Sequence, residues 1–151
     1  MREELKDTKS VSKFEKLLCR IQGKVFENSL TFSFSSEEFI NRFMKSQTAA
    51  FFDLPYDRTQ WLGEESLMQD FIEEVTNLSK NENQYSKDSL FWIGYTYRYW
   101  HFYTGESSKQ IVEQCDASTM NMLYPAYHTL DVTMAIERIK EAKEKRIQYE
   151  L

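Results

Sequence analysis

The sequence is poor in the residues that make tight turns, disulfides or metal sites. Its 151 residues include four glycines, two prolines, two cysteines and two histidines. So few turn residues argue against a β-sandwich or a β-barrel, which both need many tight turns. Cys19 and Cys115 stand far apart and form no CxxC pair, so neither a disulfide framework nor a zinc site is indicated. We expect no bound metal and no cofactor.

The sequence also lacks a recognisable signal peptide and any apolar run long enough to cross a bilayer. These absences predict a cytoplasmic protein without membrane association. The formal net charge of −5 disfavours nonspecific binding to nucleic acid or anionic lipid and weakly favours a basic partner. Motifs of catalysis such as HExxH, GxGxxG, a P-loop or GxSxG are missing, so we assign no catalytic residue and do not expect an enzyme.

The chain length suits one domain with its own core, and no linker or internal repeat divides it. We predict a disordered terminus over residues 1–11, a single helical domain over 12–142 and a charged helix end over 143–151. The fold class is all-α, with five to seven helices around a central aromatic-rich helix and at most one short extended or hairpin segment. The sequence gives no indication of oligomeric state.

Local signals place the outer helices. Three capping boxes, in which a serine precedes Glu or Gln by three residues, predict helix starts at Ser12, Ser35 and Ser107. Asp131 is suited to cap a terminal helix, and Pro125 is expected to break a short helix that begins near Ala117. Residues 29–34 alternate apolar and small polar side chains, which predicts an extended segment or a short hairpin.

The bulkiest stretch of the chain predicts its central helix. Eight aromatic residues fall within residues 91–103. Ser86 is suited to cap this helix and Gly105 to end it. At helical spacing one face collects aromatic side chains, whereas a strand would mix them with polar ones on both sides. We favour the helix over the strand, and we expect the aromatic residues to serve the core rather than to form a ligand cage.

Arg98 and His101 lie opposite that aromatic face and are the most informative polar pair. One interpretation is a pocket for an anion, with Gly94 allowing close approach and with Trp100 and His128 beside the pair. The other is a buried arginine paired with an acid of another helix, with His101 satisfied by hydrogen bonds. We favour the second interpretation and keep the first as a small-molecule alternative.

A second candidate surface is an acidic helix predicted over residues 64–78. Its apolar stripe leaves the remaining surface to the five acids Glu64, Glu65, Asp70, Glu73 and Glu74. This face is either merely solvated, the interpretation we favour, or a docking face for a basic partner with Tyr97 as an aromatic anchor. The nearby Asp57, Arg58 and Trp61 predict a local salt bridge and packing corner.

Residues 107–124 have the outline of a helix-turn-helix. A helix that reads DNA carries bases or amides toward phosphates and base edges. Residues 117–128 contain no Lys or Arg, and Asn121 is their only amide. A nucleic-acid-binding regulator is therefore retained only as a further alternative, and nucleic acid is not expected as a partner.

Three segments together carry a family resemblance: PYDRTQWLGEE at 55–65, FWIGYTYRYWHFYTGESS at 91–108 and YHTLD at 127–131. In this order and spacing they resemble a small Firmicutes family of unknown function, over about residues 13–141. Its genes lie beside genes for ADP-ribosyltransferase-like toxin domains, so the resemblance implies an antitoxin-like or accessory role. We therefore predict a protein–protein interaction module that binds and occludes a toxin enzyme.

Overall fold

The computed structural model describes the backbone of residues 10–150 and the side chains of residues 10–145. These residues form eight α-helices and one 3₁₀ helix and contain no β-strand, which confirms the all-α prediction and slightly exceeds the expected helix count. The helices are α1 (Lys13–Asn28), α2 (Ser36–Met44), α3 (Gln47–Asp53), the 3₁₀ helix (Arg58–Trp61), α4 (Glu64–Glu74), α5 (Lys87–Thr104), α6 (Ser108–Gln114), α7 (Ala117–Tyr127) and α8 (Val132–Glu150).

The central helix is α5, as the sequence predicts, and the strand alternative is wrong. The Ser86 hydroxyl accepts a hydrogen bond from the Ser89 N–H at 3.1 Å, and Gly105 ends the helix with a positive φ of 81°. This left-handed conformation suits glycine because it has no Cβ to clash. Helices α1, α6, α7 and α8 all contact α5, so the core is built around it.

The face of α5 that carries Gly94 and Arg98 packs deepest. A methyl group at Gly94 would lie 2.7 Å from the carbonyl oxygen of Gln22 on α1. Glycine at this position therefore lets the backbones of α1 and α5 come close together. The predicted aromatic face turns outward: Phe102 is buried there, but the others on it are only half-buried against the core, namely Trp92, Tyr95, Tyr99 and Tyr103.

Residues 29–34 form turns, so the prediction of an extended segment or hairpin is wrong. Phe34 pairs with Lys80 in one isolated antiparallel bridge, and the chain reverses at Ser33 with a φ of 60°. The Ser35 capping box is also wrong. The side chains of Ser35 and Glu38 bind the loop between α4 and α5 instead. Ser35 Oγ accepts from the Glu82 N–H and Glu38 Oε1 accepts from the Ser79 N–H, both at 3.2 Å.

Two helix ends differ from the prediction. Helix α4 stops at Glu74, because Val75 has extended backbone angles and the Thr76 carbonyl accepts a 3.0 Å hydrogen bond from Arg42. Helix α7 runs through Pro125 to Tyr127. Pro125 lies in the last turn of α7, where it removes a single intrahelical hydrogen bond.

The ends of the chain bear on the predicted domain limits. The predicted disordered terminus falls mainly on residues 1–9, which lie outside the described residues, whereas Val11 is buried. At the other end α8 continues into the predicted charged helix end as far as Glu150, and Glu141 and Lys145 are paired at 3.0 Å. Among the described residues, every helix is too short or too polar to cross a membrane.

Candidate functional site

Arg98 lies fully buried at the meeting point of four helices. Its Nη1 is 2.5 Å from Asp53 Oδ1 at the end of α3. Its Nε donates to Gln22 Oε1 at 2.9 Å and its Nη2 to Ser108 Oγ at 3.1 Å. The guanidinium also lies 4.4 Å from the centroid of the Phe52 ring. All three guanidinium nitrogens are therefore engaged, and Arg98 ties α1, α3 and α6 to α5.

Asp53 is held equally firmly. Besides Arg98 it accepts the Ser108 hydroxyl at 2.7 Å and the Ser108 backbone N–H at 2.8 Å. Ser108 is the first residue of α6, where the helix dipole favours a negative charge. Burial acts to raise the pKa of Asp53, but the Arg98 guanidinium, His101 and the Ser108 hydrogen bonds outweigh it and lower that pKa.

His101 completes this buried network, which we name the Arg98 network (Gln22, Asp53, Arg98, His101 and Ser108). Its Nδ1 is 2.6 Å from the Glu106 carbonyl oxygen and its Nε2 is 3.1 Å from the Asp53 carbonyl oxygen. Burial and the Arg98 charge lower the pKa of His101. The neutral imidazole has one N–H and so donates to only one of the two carbonyls.

The geometry of the Arg98 network matches the favoured interpretation, a structural ion pair with a hydrogen-bonded histidine. Ser108, His101 and Asp53 are the residue types of a hydrolase triad, but their arrangement differs. The Ser108 hydroxyl donates to Asp53 rather than to the imidazole, and Ser108 is buried. In a triad the histidine lies between the serine and the acid.

The structure does not assemble the pocket predicted from Arg98, His101, Trp100 and His128. Trp100 is buried, and its Nε1 donates to Glu106 Oε1 at 2.7 Å. His128 is exposed and stacks on Tyr124 with ring centroids 4.5 Å apart. Arg98 uses its donors within the protein, so the prediction of a shared pocket is wrong.

Sequence reasoning missed a second polar cluster around Glu106. Its carboxylate accepts from Lys140 at 2.6 Å, from Trp100 at 2.7 Å and from Gln114 at 2.7 Å. Burial opposes ionisation, but these hydrogen bonds lower the pKa of Glu106 to about 2. Lys140 lies 34 residues away in sequence, so no local pattern indicated that α8 is fastened here.

A groove of about 370 Å³ lies between α3, the 3₁₀ helix and α4. We name it the acidic groove because its lining holds four carboxylates and one base. Its lining residues are Gln47, Thr48, Phe51, Asp57, Arg58, Thr59, Asp70, Glu73 and Glu74. Three of the five acids predicted for a docking face therefore line it, whereas Glu64 and Glu65 stand at the start of α4 outside it.

The carboxylates of the groove are not equivalent. Glu74 caps α3, accepting the Gln47 N–H at 2.7 Å and the Thr48 N–H at 3.0 Å. Asp57 caps the 3₁₀ helix, and its hydrogen bonds from Thr59 lower its pKa. Asp70 and Glu73 are held more loosely, because each has a single polar contact with a described residue. Arg58 Nη2 lies 3.9 Å from Asp70, and the Gln69 amide donates to Glu73 at 3.1 Å.

Phe51 lines the groove, and other large exposed apolar side chains lie on the neighbouring segments, namely the loop after α3, the 3₁₀ helix and α1. Trp61 is 71% exposed and Tyr56 91% exposed, and Trp61 contacts the Phe14 ring with centroids 5.3 Å apart. The predicted packing corner is therefore wrong, because Trp61 faces solvent and Arg58 pairs with Asp70. We name the exposed set the aromatic rim: Phe14, Leu17, Phe51, Leu54, Tyr56 and Trp61.

Tyr97 does not belong to any docking surface. It is fully buried, and its hydroxyl donates to the Cys115 carbonyl at 2.6 Å. Burial raises its pKa well above the usual value for tyrosine. The prediction of Tyr97 as an exposed anchor is wrong, because this side of α5 packs against its neighbours.

The helix-turn-helix outline is present as α6 and α7, but its second helix is used for packing. The Asn121 side chain accepts a 2.6 Å hydrogen bond from the Ser89 hydroxyl. The Ala117 N–H at the start of α7 donates to Asn41 at 3.0 Å. The one amide of α7 is thus engaged inside the protein, and this helix presents no Lys or Arg.

Comparison of the chain with protein-family models, with curated proteins and with solved structures found no match. The resemblance to the Firmicutes family therefore stays a prediction.

Proposed function

We propose that the protein is an interaction module that binds a basic surface of a partner protein through the acidic groove and the aromatic rim. The observation that carries this proposal is their juxtaposition: a groove with loosely held carboxylates beside several large apolar side chains that face solvent. Aromatic side chains supply most of the binding energy in many interfaces, and charges around them select the partner.

The aromatic rim supports an interface because its side chains leave a large part of their apolar surface in contact with solvent. Tyr56 and Trp61 expose most of their surface, and Phe51 is 48% exposed. Folding usually hides such side chains, and a cluster of them on a surface typically marks a binding site. The rim residues come from α1, α3, the loop before the 3₁₀ helix and the 3₁₀ helix itself. A partner that covered it would bury all of these side chains together.

The acidic groove supports a basic partner. Asp57, Asp70 and Glu73 face one nearby base, Arg58, and Arg58 is 75% exposed. A groove of about 370 Å³ has room for an arginine or lysine side chain of a partner. Complementary charge speeds encounter and excludes partners of the wrong sign.

The partner that the family resemblance implies is a toxin enzyme. An enzyme that binds an anionic substrate such as a dinucleotide uses basic groups in its cleft. A protein that covers such a cleft with carboxylates and aromatic side chains blocks the substrate without any chemistry of its own. The proposed mechanism is therefore occlusion, with no catalytic role for this chain.

The test is a pull-down with the tagged protein from a lysate of its source organism. The groove variant is Asp70→Lys/Glu73→Lys. Its matched control is Glu82→Lys/Glu113→Lys, which makes the same charge change at exposed positions elsewhere. We expect the wild type and the control to capture one protein that the groove variant loses, and that protein to arrest growth when expressed alone. Equal capture by all three forms, or a captured protein without toxicity, contradicts the proposal.

A further inference from the structure

Helix α1 carries a row of bases on its solvent face. We name this row the basic stripe: Lys13, Lys16, Arg20 and Lys24. All four side chains are exposed, and no described acid forms an ion pair with any of them. Some bases elsewhere have such partners, as Arg42 has Glu38 and Lys145 has Glu141, whereas others such as Lys109 have none among the described residues. Lys16 acts on the Asp131 carboxylate without forming an ion pair with it. The stripe is distinguished by four exposed bases in a row on one helix, and no ion pair to a described acid neutralises them.

The outer face of α5 continues this surface. Phe91, Tyr95 and Tyr99 stack along the helix with ring centroids 6.0 and 6.1 Å apart. We name these three residues the aromatic ladder, and all are half-buried. Phe91 packs over Gly23 of α1, where an added methyl would lie 2.7 Å from its ring. The Arg20 charge acts on Tyr95, so the stripe and the ladder adjoin.

Helices α7 and α8 border the ladder on its other side. Trp92 contacts Tyr124 of α7 at 5.9 Å between ring centroids. Tyr103 donates to Glu137 of α8 at 2.7 Å. The ladder and Trp92 thus form an aromatic floor, with the bases of α1 on one edge and α7 and α8 on the other.

We propose that the basic stripe and the aromatic ladder form a second interaction surface, which binds an acidic segment of a protein. The surface is rich in hydrogen-bond donors, because Lys, Arg and the Trp92 indole only donate. The Tyr95 and Tyr99 hydroxyls bond to no described residue and are able to donate or accept. A partner that supplies acceptors and negative charge therefore complements the basic stripe and can also bond to these hydroxyls. Carboxylates supply both, and tyrosine, tryptophan and arginine are the side chains that anchor protein interfaces.

A single strand of nucleic acid fits this surface less well. Binding to such a strand relies on bases that stack on free aromatic faces. In the ladder each ring already stacks on its neighbour, with centroids 6.0 and 6.1 Å apart, so fewer ring faces are open to a base. Asp131 is exposed and acts on Tyr99, and the chain has a net charge of −5. The repulsion from these negative charges acts on any acidic ligand and is greatest for a strand that carries one phosphate per nucleotide.

This inference does not depend on the proposed function, since the two surfaces are of opposite charge and differ in every residue. The experiment selects binders to the tagged full chain from a random 16-residue peptide display library. The surface variant is Lys16→Glu/Arg20→Glu, and the control Lys45→Glu/Lys109→Glu changes the charge equally at exposed positions elsewhere. Circular dichroism confirms that each variant is folded. A 12-nucleotide oligodeoxythymidine is assayed in parallel.

We expect one class of selected peptides to be enriched in Asp and Glu together with apolar residues. The affinity of this class falls about tenfold or more for the surface variant and stays within about twofold for the control. A selection without acidic enrichment, or equal losses in both variants, overturns the inference. Binding of oligodeoxythymidine that only the surface variant loses, with no acidic peptide selected, overturns it in favour of nucleic acid. Basic peptides lost only by Asp70→Lys/Glu73→Lys report on the acidic groove instead.

Discussion

Two arginine–aspartate pairs in this protein have the same chemistry and opposite roles. Arg98 and Asp53 lie 2.5 Å apart, with side chains 0% and 10% exposed. Arg58 and Asp70 lie 3.9 Å apart, with side chains 75% and 32% exposed. The first pair joins α3 to α5 and has further hydrogen bonds to α1 and α6, whereas the second lies in an open groove. Burial with full hydrogen bonding thus commits a charge pair to the fold, and exposure leaves it available to a partner.

The largest loss of stability is expected from breaking the buried Arg98–Asp53 pair. Asp53→Ala leaves the Arg98 charge in the core without its carboxylate, which costs about 3–5 kcal/mol. Urea denaturation measures the free energy of unfolding. The matched control, Asp70→Ala, removes the exposed partner of Arg58 and is expected to change stability by less than about 0.5 kcal/mol. Similar losses for the two variants would contradict the contrast between the pairs.

The second largest loss of stability is expected where α1 and α5 approach each other closely. In Gly94→Ala the new methyl meets the Gln22 backbone at 2.7 Å, and backbone yields less readily than a side chain. Overpacking of this kind costs about 1–3 kcal/mol. Gly63→Ser is the control, because nothing lies within 4 Å of that Cβ and serine suits the N-cap of α4. Thermal unfolding measures the Tm, which we expect to fall for Gly94→Ala and to stay unchanged for Gly63→Ser. An unchanged Tm in Gly94→Ala would mean that α1 and α5 move apart at no cost.

Stability should also depend on Glu106 at acidic pH. Its folded pKa is about 2, below the usual 4.5, so the carboxylate favours the folded state when ionised. This contribution is fully present above about pH 4.5 and is lost as the pH falls toward 2, by on the order of 1–3 kcal/mol. Urea unfolding at a series of pH values measures it. In Glu106→Gln the free energy of unfolding should change less between about pH 4.5 and 2 than in the wild type. An identical pH profile in the variant would rule out Glu106 as the source of the pH dependence.

The sequence predicted the central helix well because its signals are local. Ser86 caps it, Gly105 ends it, and the intervening residues have helical spacing. The orientation of that helix was harder to predict, since aromatic content alone does not show which face is buried. Gly94 was the available signal, because a glycine within a helix often marks close packing. Gly94 was instead assigned to the anion-pocket interpretation, and the structural interpretation of Arg98 came from the rarity of an unpaired buried arginine.

The partners of the polar residues were beyond sequence reasoning. Asp53 lies 45 residues from Arg98, and several acids of the chain were equally eligible to pair with it. The acidic groove was predicted only in part, because Asp57 enters it from the N-cap of the 3₁₀ helix, and Glu74, which lines it, is engaged in capping α3. Such choices depend on tertiary packing, which residue spacing does not encode.

The smallest effect on stability, and the sharpest separation of fold from function, is expected from Trp61→Ala. Trp61 is 71% exposed and touches Phe14 at the surface, so its removal should change the free energy of unfolding by less than about 1 kcal/mol. An aromatic anchor at an interface costs about 2 kcal/mol or more when truncated, so affinity for the groove partner should fall by tenfold or more. Urea denaturation and titration calorimetry with the captured partner measure the two quantities. A stability loss as large as that of Gly94→Ala, or unchanged affinity, would place Trp61 in the fold and remove the aromatic rim from the interface.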